Sequence, residues 1–253
     1  MTHPVEPAAH SRRKLRTPPG PFVGPVAAIA AVGFAVLATV VAAHPGSDAL
    51  DRSAADALSA PRGSLSFHVF NALTNFGSLG VVALVAVAIA LTCWAKGYRR
   101  LGVIAFAAPG LAGFAEIVVK PLVRRTRPAT RSLTGEHGFS FPSGHATGAT
   151  ALAIAVVAIV WTLTARRDVR TLAIVLGSTY AATIAVSRVV VGAHYATDVV
   201  GGLLLATAVS GGVVLALALM PALKRPAQRE VRSPGLATGN GGQQSGGRRP
   251  QRG

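Results

Sequence analysis

Two histidines, an aspartate, a serine–glycine pair and three separated cations are the residues here whose types and spacing could do chemistry. His194 stands four residues before Asp198. On a helical turn that carboxylate can accept one ring N–H, which fixes the tautomer and leaves the other nitrogen free as a nucleophile. His145 comes from a different helix and can protonate a departing oxygen. Lys120, Arg127 and Arg188 supply three cations, the arginines as planar forks and the lysine as a point charge. Ser143 and Gly144 precede an apolar run. The free backbone N–H groups and the dipole of a helix starting there favour an anion, and Gly144 allows close backbone approach. The set describes a pocket for a trigonal or tetrahedral oxyanion. It suits phosphoryl transfer, in which positioning and electrostatics carry most of the catalysis.

The elements that must bring these residues together read as membrane helices. Of 253 residues 51% are hydrophobic and 13% charged, against about 25% charged in soluble domains. Six runs meet the roughly 20-residue requirement for a span: Val26–Ala43, Gly77–Ala95, Leu101–Val119, Ala146–Leu163, Leu172–Val191 and Val199–Met220. The expected fold is all-α, a polytopic bundle of six transmembrane spans over residues 25–222. Basic tails, 1–24 and 223–253, are too polar and Pro- or Gly-rich to bury a core and are expected to be disordered. Before the second span, Leu65, Phe67, Val69, Phe70 and Leu73 allow either a short interfacial helix or an ordinary loop. Arg12-Arg13 ahead of the first run is similar to a twin-arginine or secretory signal, but the run is long for a signal core, and a retained span is expected.

Charge sets the orientation. Both tails and the two loops on their side hold 17 of the 25 Lys and Arg residues, which places the tails in the cytoplasm. Loops one–two, three–four and five–six then face the periplasm or cell exterior. All of the candidate residues lie on that side, a convergence that the charge bias of the tails and loops does not by itself require. The net charge of +16 does not mark a nucleic-acid partner, because it sits in tails and short loops and not on one folded face. Cys93 is the single cysteine, so no internal disulfide forms. The sequence does not specify an oligomeric state.

The candidates fall into three stretches: Lys120 to Arg127-Pro128, Pro142-Ser143-Gly144-His145, and Ser187-Arg188 through His194 to Asp198. They match K-x6-R-P, P-S-G-H and S-R-x5-H-x3-D complete and in order. In this the sequence resembles the type 2 phosphatidic acid phosphatases, or lipid phosphate phosphatases. The resemblance implies that His194 becomes phosphorylated, that Asp198 orients it and that His145 protonates the leaving group. It further implies that Lys120, Arg127, Ser143, Gly144 and Arg188 bind phosphate, with no metal or other cofactor. The implied substrate is a lipid phosphate, such as phosphatidic acid or phosphatidylglycerol phosphate, or a polyprenyl pyrophosphate such as the undecaprenyl carrier, taken from among the membrane lipids. Phosphotransfer to another acceptor and a catalytically silent lipid-binding role are the competing expectations. The related haloperoxidases and secreted acid phosphatases are soluble, and six spans argue against them.

Some neighbours are less determined. Glu116, four residues before Lys120, is expected either to orient it or to sit at a wet rim. Arg124, Arg125, Arg131, Glu136 and His137, in loop three–four, are expected to be solvated loop charges, with contact to the substrate headgroup as the alternative. Ser187 is expected to support Arg188.

Overall fold

The computed structural model describes residues 22–44, 49–128 and 138–220. Among them lie eight α-helices, one 3-10 turn and no strand: α1 (Val23–Ala43), α2 (Ala49–Leu58), α3 (Leu65–Thr74), the turn Asn75–Gly77, α4 (Leu79–Ala95), α5 (Arg99–Val123), α6 (Gly144–Leu163), α7 (Arg167–Val190) and α8 (Ala196–Leu219). The tails lie outside the described residues, apart from Phe22 to Gly24, where α1 has already begun. Arg131, Glu136 and His137 also lie outside them.

Five helices, α1 and α5 to α8, are each long and apolar enough to cross a bilayer. The second expected span differs: α3 with its 3-10 turn and α4 pass the same test together, bent by 44° at Ser78, and the count reaches six when the bent pair is taken as one span. The stretch before the second span is therefore a helix. Ser64 caps it by accepting the Phe67 N–H at 3.2 Å, with an extended backbone of its own.

α6 is the centre of the bundle and packs on α4, α5, α7 and α8. Its sequence explains why. Ala146, Ala149, Ala151, Ala153, Ala155 and Ala158 are all buried, and small side chains let helix backbones approach closely without a hydrophobic driving force from water. α1 lies at the periphery against α8. Its Ile29, Val32 and Val36 are exposed, as expected of a helix that faces lipid. Pro109 and Pro121 sit within α5, where neighbouring helices can offset the lost backbone hydrogen bonds.

The two ends of the bundle differ. At one end Arg100 donates to the Met220 carbonyl at 2.9 Å and Arg170 to the Trp161 carbonyl at 2.8 Å, closing helix termini with basic side chains. At the other end the chain runs through α2, the α5–α6 connection and the α7–α8 turn, and the polar residues there bond to one another across segments.

Candidate active site

The site begins with the turn between α7 and α8. The carbonyl of Arg188 accepts the backbone N–H groups of Ala193 at 3.0 Å and His194 at 3.2 Å, and Gly192 takes positive φ. This folds the chain back sharply and buries the His194 ring, which is 3% exposed. Asp198, in the first turn of α8, accepts the Tyr195 N–H on Oδ2 at 3.0 Å. That contact closes the helix N-terminus and fixes the carboxylate. Oδ2 lies 3.4 Å from His194 Nδ1. The four-residue spacing brings the pair together, at a separation longer than a normal hydrogen bond, but not on a helical turn as expected: His194 lies in the turn before α8 begins at Ala196.

The other ring nitrogen faces a cation. Arg127 Nη1 lies 3.1 Å from His194 Nε2, and it donates to the Ala193 carbonyl at 3.2 Å. Its Nε donates to Gly138 at 3.2 Å. The second motif joins through the backbone: the Ser143 N–H donates to the Asp198 carbonyl at 3.0 Å. Gly202 permits this closeness, since a Cβ there would stand 2.7 Å from the Ser143 carbonyl oxygen. Ser143 is the N-cap of α6 and does not use its side chain for capping. Its Oγ is fully buried and has no hydrogen-bond partner among the described residues. A buried hydroxyl left so costs roughly 1–3 kcal/mol, which an oxyanion oxygen at this helix start would offset.

Lys120 lies in the last turn of α5, with its Nζ 2.6 Å from Glu116 Oε1. The Glu116 carboxylate lies against α6, where a Cβ on Gly144 would meet it at 2.9 Å. Glu116 therefore touches both a motif lysine and the helix start that carries Ser143 and His145. Arg188 is buried, and its Nη1 donates to Thr74 at the end of α3 at 2.9 Å. His145 is half-buried in the first turn of α6, beside the 3-10 turn at Gly77. Ser187 Oγ donates to the Ile184 carbonyl at 2.6 Å, a local bond that holds the end of α7.

Arg125 departs from expectation. It is 1% exposed and not a solvated loop charge. It donates to Asp198 Oδ1 at 2.7 Å and to Thr197 Oγ1 at 2.5 Å, pairs with Asp51, and lies over the Tyr195 ring with Cζ 4.4 Å from the centroid. Its neighbour Arg124 ends α5 in a left-handed conformation and is exposed. That turn sends two consecutive arginines to opposite environments. Asp51 is the residue that sequence reasoning missed. It sits in α2, far from every motif in sequence, and is fully buried.

The electrostatics favour a neutral imidazole. Burial is the largest influence on His194 and, with Arg188 and Arg127, outweighs the opposing pull of Asp198, lowering its pKa to about 4. A buried neutral imidazole with one nitrogen toward a carboxylate and the other toward a guanidinium can act as a nucleophile toward a bound oxyanion. Among the described residues no group of three His, Cys, Asp or Glu side chains is arranged to hold a metal ion.

Comparison with known proteins identifies the family. The profile of the PAP2 superfamily matches residues 101–219, which include all three motifs. The decaprenylphosphoryl-5-phosphoribose phosphatase of Mycolicibacterium smegmatis is 36% identical over 138 residues, covering 52% of this chain and 68% of that protein. Phosphatidylglycerophosphatase B of Bacillus subtilis is 36% identical over 87 residues, 34% of this chain and 42% of that protein. The crystal structure of a transmembrane PAP2-type phosphatidylglycerolphosphate phosphatase from Bacillus subtilis superposes with a TM-score of 0.66 at 23% identity, covering 76% of this chain and 94% of that one. That similarity supports the fold, a multi-pass helical bundle. With these matches, the chain belongs to the PAP2 superfamily.

Proposed function

We propose that this protein is a membrane phosphatase that removes phosphate from a lipid phosphate monoester or polyprenyl pyrophosphate through a phosphohistidine on His194. The observation that carries the reading is the line Arg127–His194–Asp198, in which Nε2 meets a phosphate-type cation while Nδ1 faces a carboxylate. Nε2 attacks phosphorus, the bond from phosphorus to the leaving oxygen breaks, and His145 gives that oxygen a proton. Water then attacks the phosphohistidine. His145 takes its proton, the phosphorus–nitrogen bond breaks, and inorganic phosphate leaves with His194 restored. Lys120, Arg127 and Arg188 balance the charge on the equatorial oxygens, and the Ser143 hydroxyl with the α6 N-terminus supplies neutral donors. With the charge shared in this way, the chemistry requires no metal.

The substrate class draws support from the relatives. One is named for decaprenylphosphoryl-5-phosphoribose and the other for phosphatidylglycerophosphate, which points to phosphate on a lipid-anchored headgroup. The bias of Lys and Arg toward the tails and their side of the chain favours an active site on the outer membrane face.

The test uses detergent-purified full-length protein in the presence of EDTA. Phosphatidic acid, phosphatidylglycerol phosphate and undecaprenyl pyrophosphate serve as substrates, and alkaline quenching preserves phosphohistidine. We expect a phosphopeptide containing His194, and a loss of turnover of at least about 10,000-fold in His194→Ala. His145→Ala should lose more activity with an alkyl phosphate than with an aryl phosphate whose leaving group needs no proton. Substantial turnover by His194→Ala, or a phosphoenzyme on another residue, overturns the mechanism. Release of free phosphate that falls as a lipid or sugar acceptor is added would convert the assignment to phosphotransfer.

A further inference from the structure

The buried charge cluster behind the nucleophile has a composition that the proposed phosphoryl chemistry does not explain. Asp51, Arg125 and Asp198 are each at most 1% exposed. Arg125 bridges the two carboxylates, with Nη1 on Asp198 Oδ1 and Nη2 on Asp51 Oδ2. Asp51 also accepts the Thr197 N–H on Oδ1 at 3.0 Å and lies 2.8 Å from the Thr197 hydroxyl through Oδ2. It therefore holds the first turn of α8 and the guanidinium at once. Burying three charges is costly, and an apolar cluster would often give equal or greater stability. Anchoring a connecting segment does not by itself call for an acid at position 51.

Charge balance offers a reason. Transfer of a phosphoryl group to His194 builds positive charge on the imidazole, which Asp198 is placed to stabilise. A lone Arg125 against Asp198 would neutralise it and weaken that help. With Asp51 sharing the same guanidinium, the cluster keeps a net charge of −1 beside the ring. The geometry shares the carboxylate oxygens in the same way: Asp198 Oδ1 faces Arg125, and Oδ2 faces His194.

We propose that Asp51, acting through Arg125, is a positioning residue that keeps the Asp198 carboxylate oriented and electrostatically available to His194. Asp51 thereby makes the extramembrane helix α2 a functional part of the site. This rests on the assignment of His194 as nucleophile, and the experiment separates the two.

Wild type, Asp51→Asn, Arg125→Gln and the double variant are purified in detergent. The phosphorylation rate and KM are measured with dioctanoyl phosphatidate, and thermal unfolding serves as the folding check. Asn can keep the bond to the Thr197 N–H but removes the charge. Asp51→Asn should lower kcat and phosphoenzyme formation by about 10- to 100-fold, the scale of one charge-assisted contact, with KM within about threefold. The double variant restores the net charge of −1 and should recover at least severalfold over Asp51→Asn alone. A purely structural anchor makes the opposite forecast, because removing both partners would leave the double variant no faster.

Wild-type kcat in folded Asp51→Asn, or a folded double variant no faster than the single, overturns the proposal. Should Asp51→Asn fail to fold, Arg125→Lys carries the test. It keeps the charge but lacks the fork that spans two carboxylates, so kcat should fall with KM held, and wild-type kcat overturns the idea. If the wild-type protein forms no phosphoenzyme on His194, the nucleophile assignment fails first, whatever Asp51 does.

Discussion

Two ion pairs lie near the C-terminal end of the same helix, and they solve different problems. Glu116 and Lys120 face each other one turn apart on α5, with side chains 13% and 22% exposed. Arg125 lies just beyond the helix end, takes its carboxylates from α2 and α8, and is sealed from solvent. The first pair is local and partly wet. The second joins three distant segments and leaves its charges no alternative partner in water. The contrast teaches that a motif lysine here is paired within its own helix at a wet edge, whereas the carboxylate behind His194 is held by a sealed cross-segment network.

Breaking each pair should show the difference, most strongly in stability. Arg125→Ala strands two buried carboxylates and should cost about 3–5 kcal/mol. Lys120→Ala should change stability by less than about 1 kcal/mol and yet lose activity. Comparable chemical-denaturation midpoints for the two variants would erase the distinction. Next in size is Glu116→Gln, which removes the carboxylate from Lys120 but keeps its shape. Its folding should hold within about 0.5 kcal/mol, while KM for a lipid phosphate changes severalfold. Full wild-type kinetics would make Glu116 a bystander.

The finest discrimination is the titration of His194, read by nitrogen NMR on histidine-labelled protein with His194→Gln to assign the signal. Its pKa is lowered to about 4, chiefly by burial. The ring should therefore remain neutral through the range near 6.5 where an unfolded histidine protonates. The sign for stability is that the contribution is fully present above about 6.5 and is lost as pH falls toward 4. Asp51→Asn exposes His194 to more of the Arg125 charge and should lower this value further. Glu116→Gln should leave it in place. A shift of equal size in both variants would mean that the two pairs are not separable.

Much of this arrangement was legible in the sequence, for local reasons. The pair Glu116–Lys120 follows from one helical turn, the pair His194–Asp198 from the same four-residue spacing although His194 lies before α8 begins, and a helix start at Ser143-Gly144 follows from the apolar run after it. Placing Lys and Arg by loop put all three motifs at one end of the bundle, where their backbones do meet. What stayed hidden depends on contacts that no spacing encodes. Asp51 is 74 positions from Arg125 and resembles any acid in a polar loop. Arg125 reads as solvated because Arg124 beside it truly is, and only the left-handed residue ending α5 separates their fates. The second span was readable as an apolar run, but the bend that joins α3 to it was not, because a helix and a loop share the same short apolar pattern there.

That bend has a consequence for the surrounding lipid. α4 alone has 17 residues and covers about 25 Å at 1.5 Å per residue, short of a hydrocarbon core of about 30 Å. α5 and α8, with 25 and 24 residues, exceed it unaided, whereas α4 needs the tilted α3 segment to complete a crossing. A bent span can meet a change in bilayer thickness by changing its bend, where a straight helix must tilt as a whole. The bent segment carries Thr74, which holds Arg188, and its turn at Gly77 lies beside His145. Bilayer thickness thereby becomes a variable that can reach the motif residues through the backbone of one span.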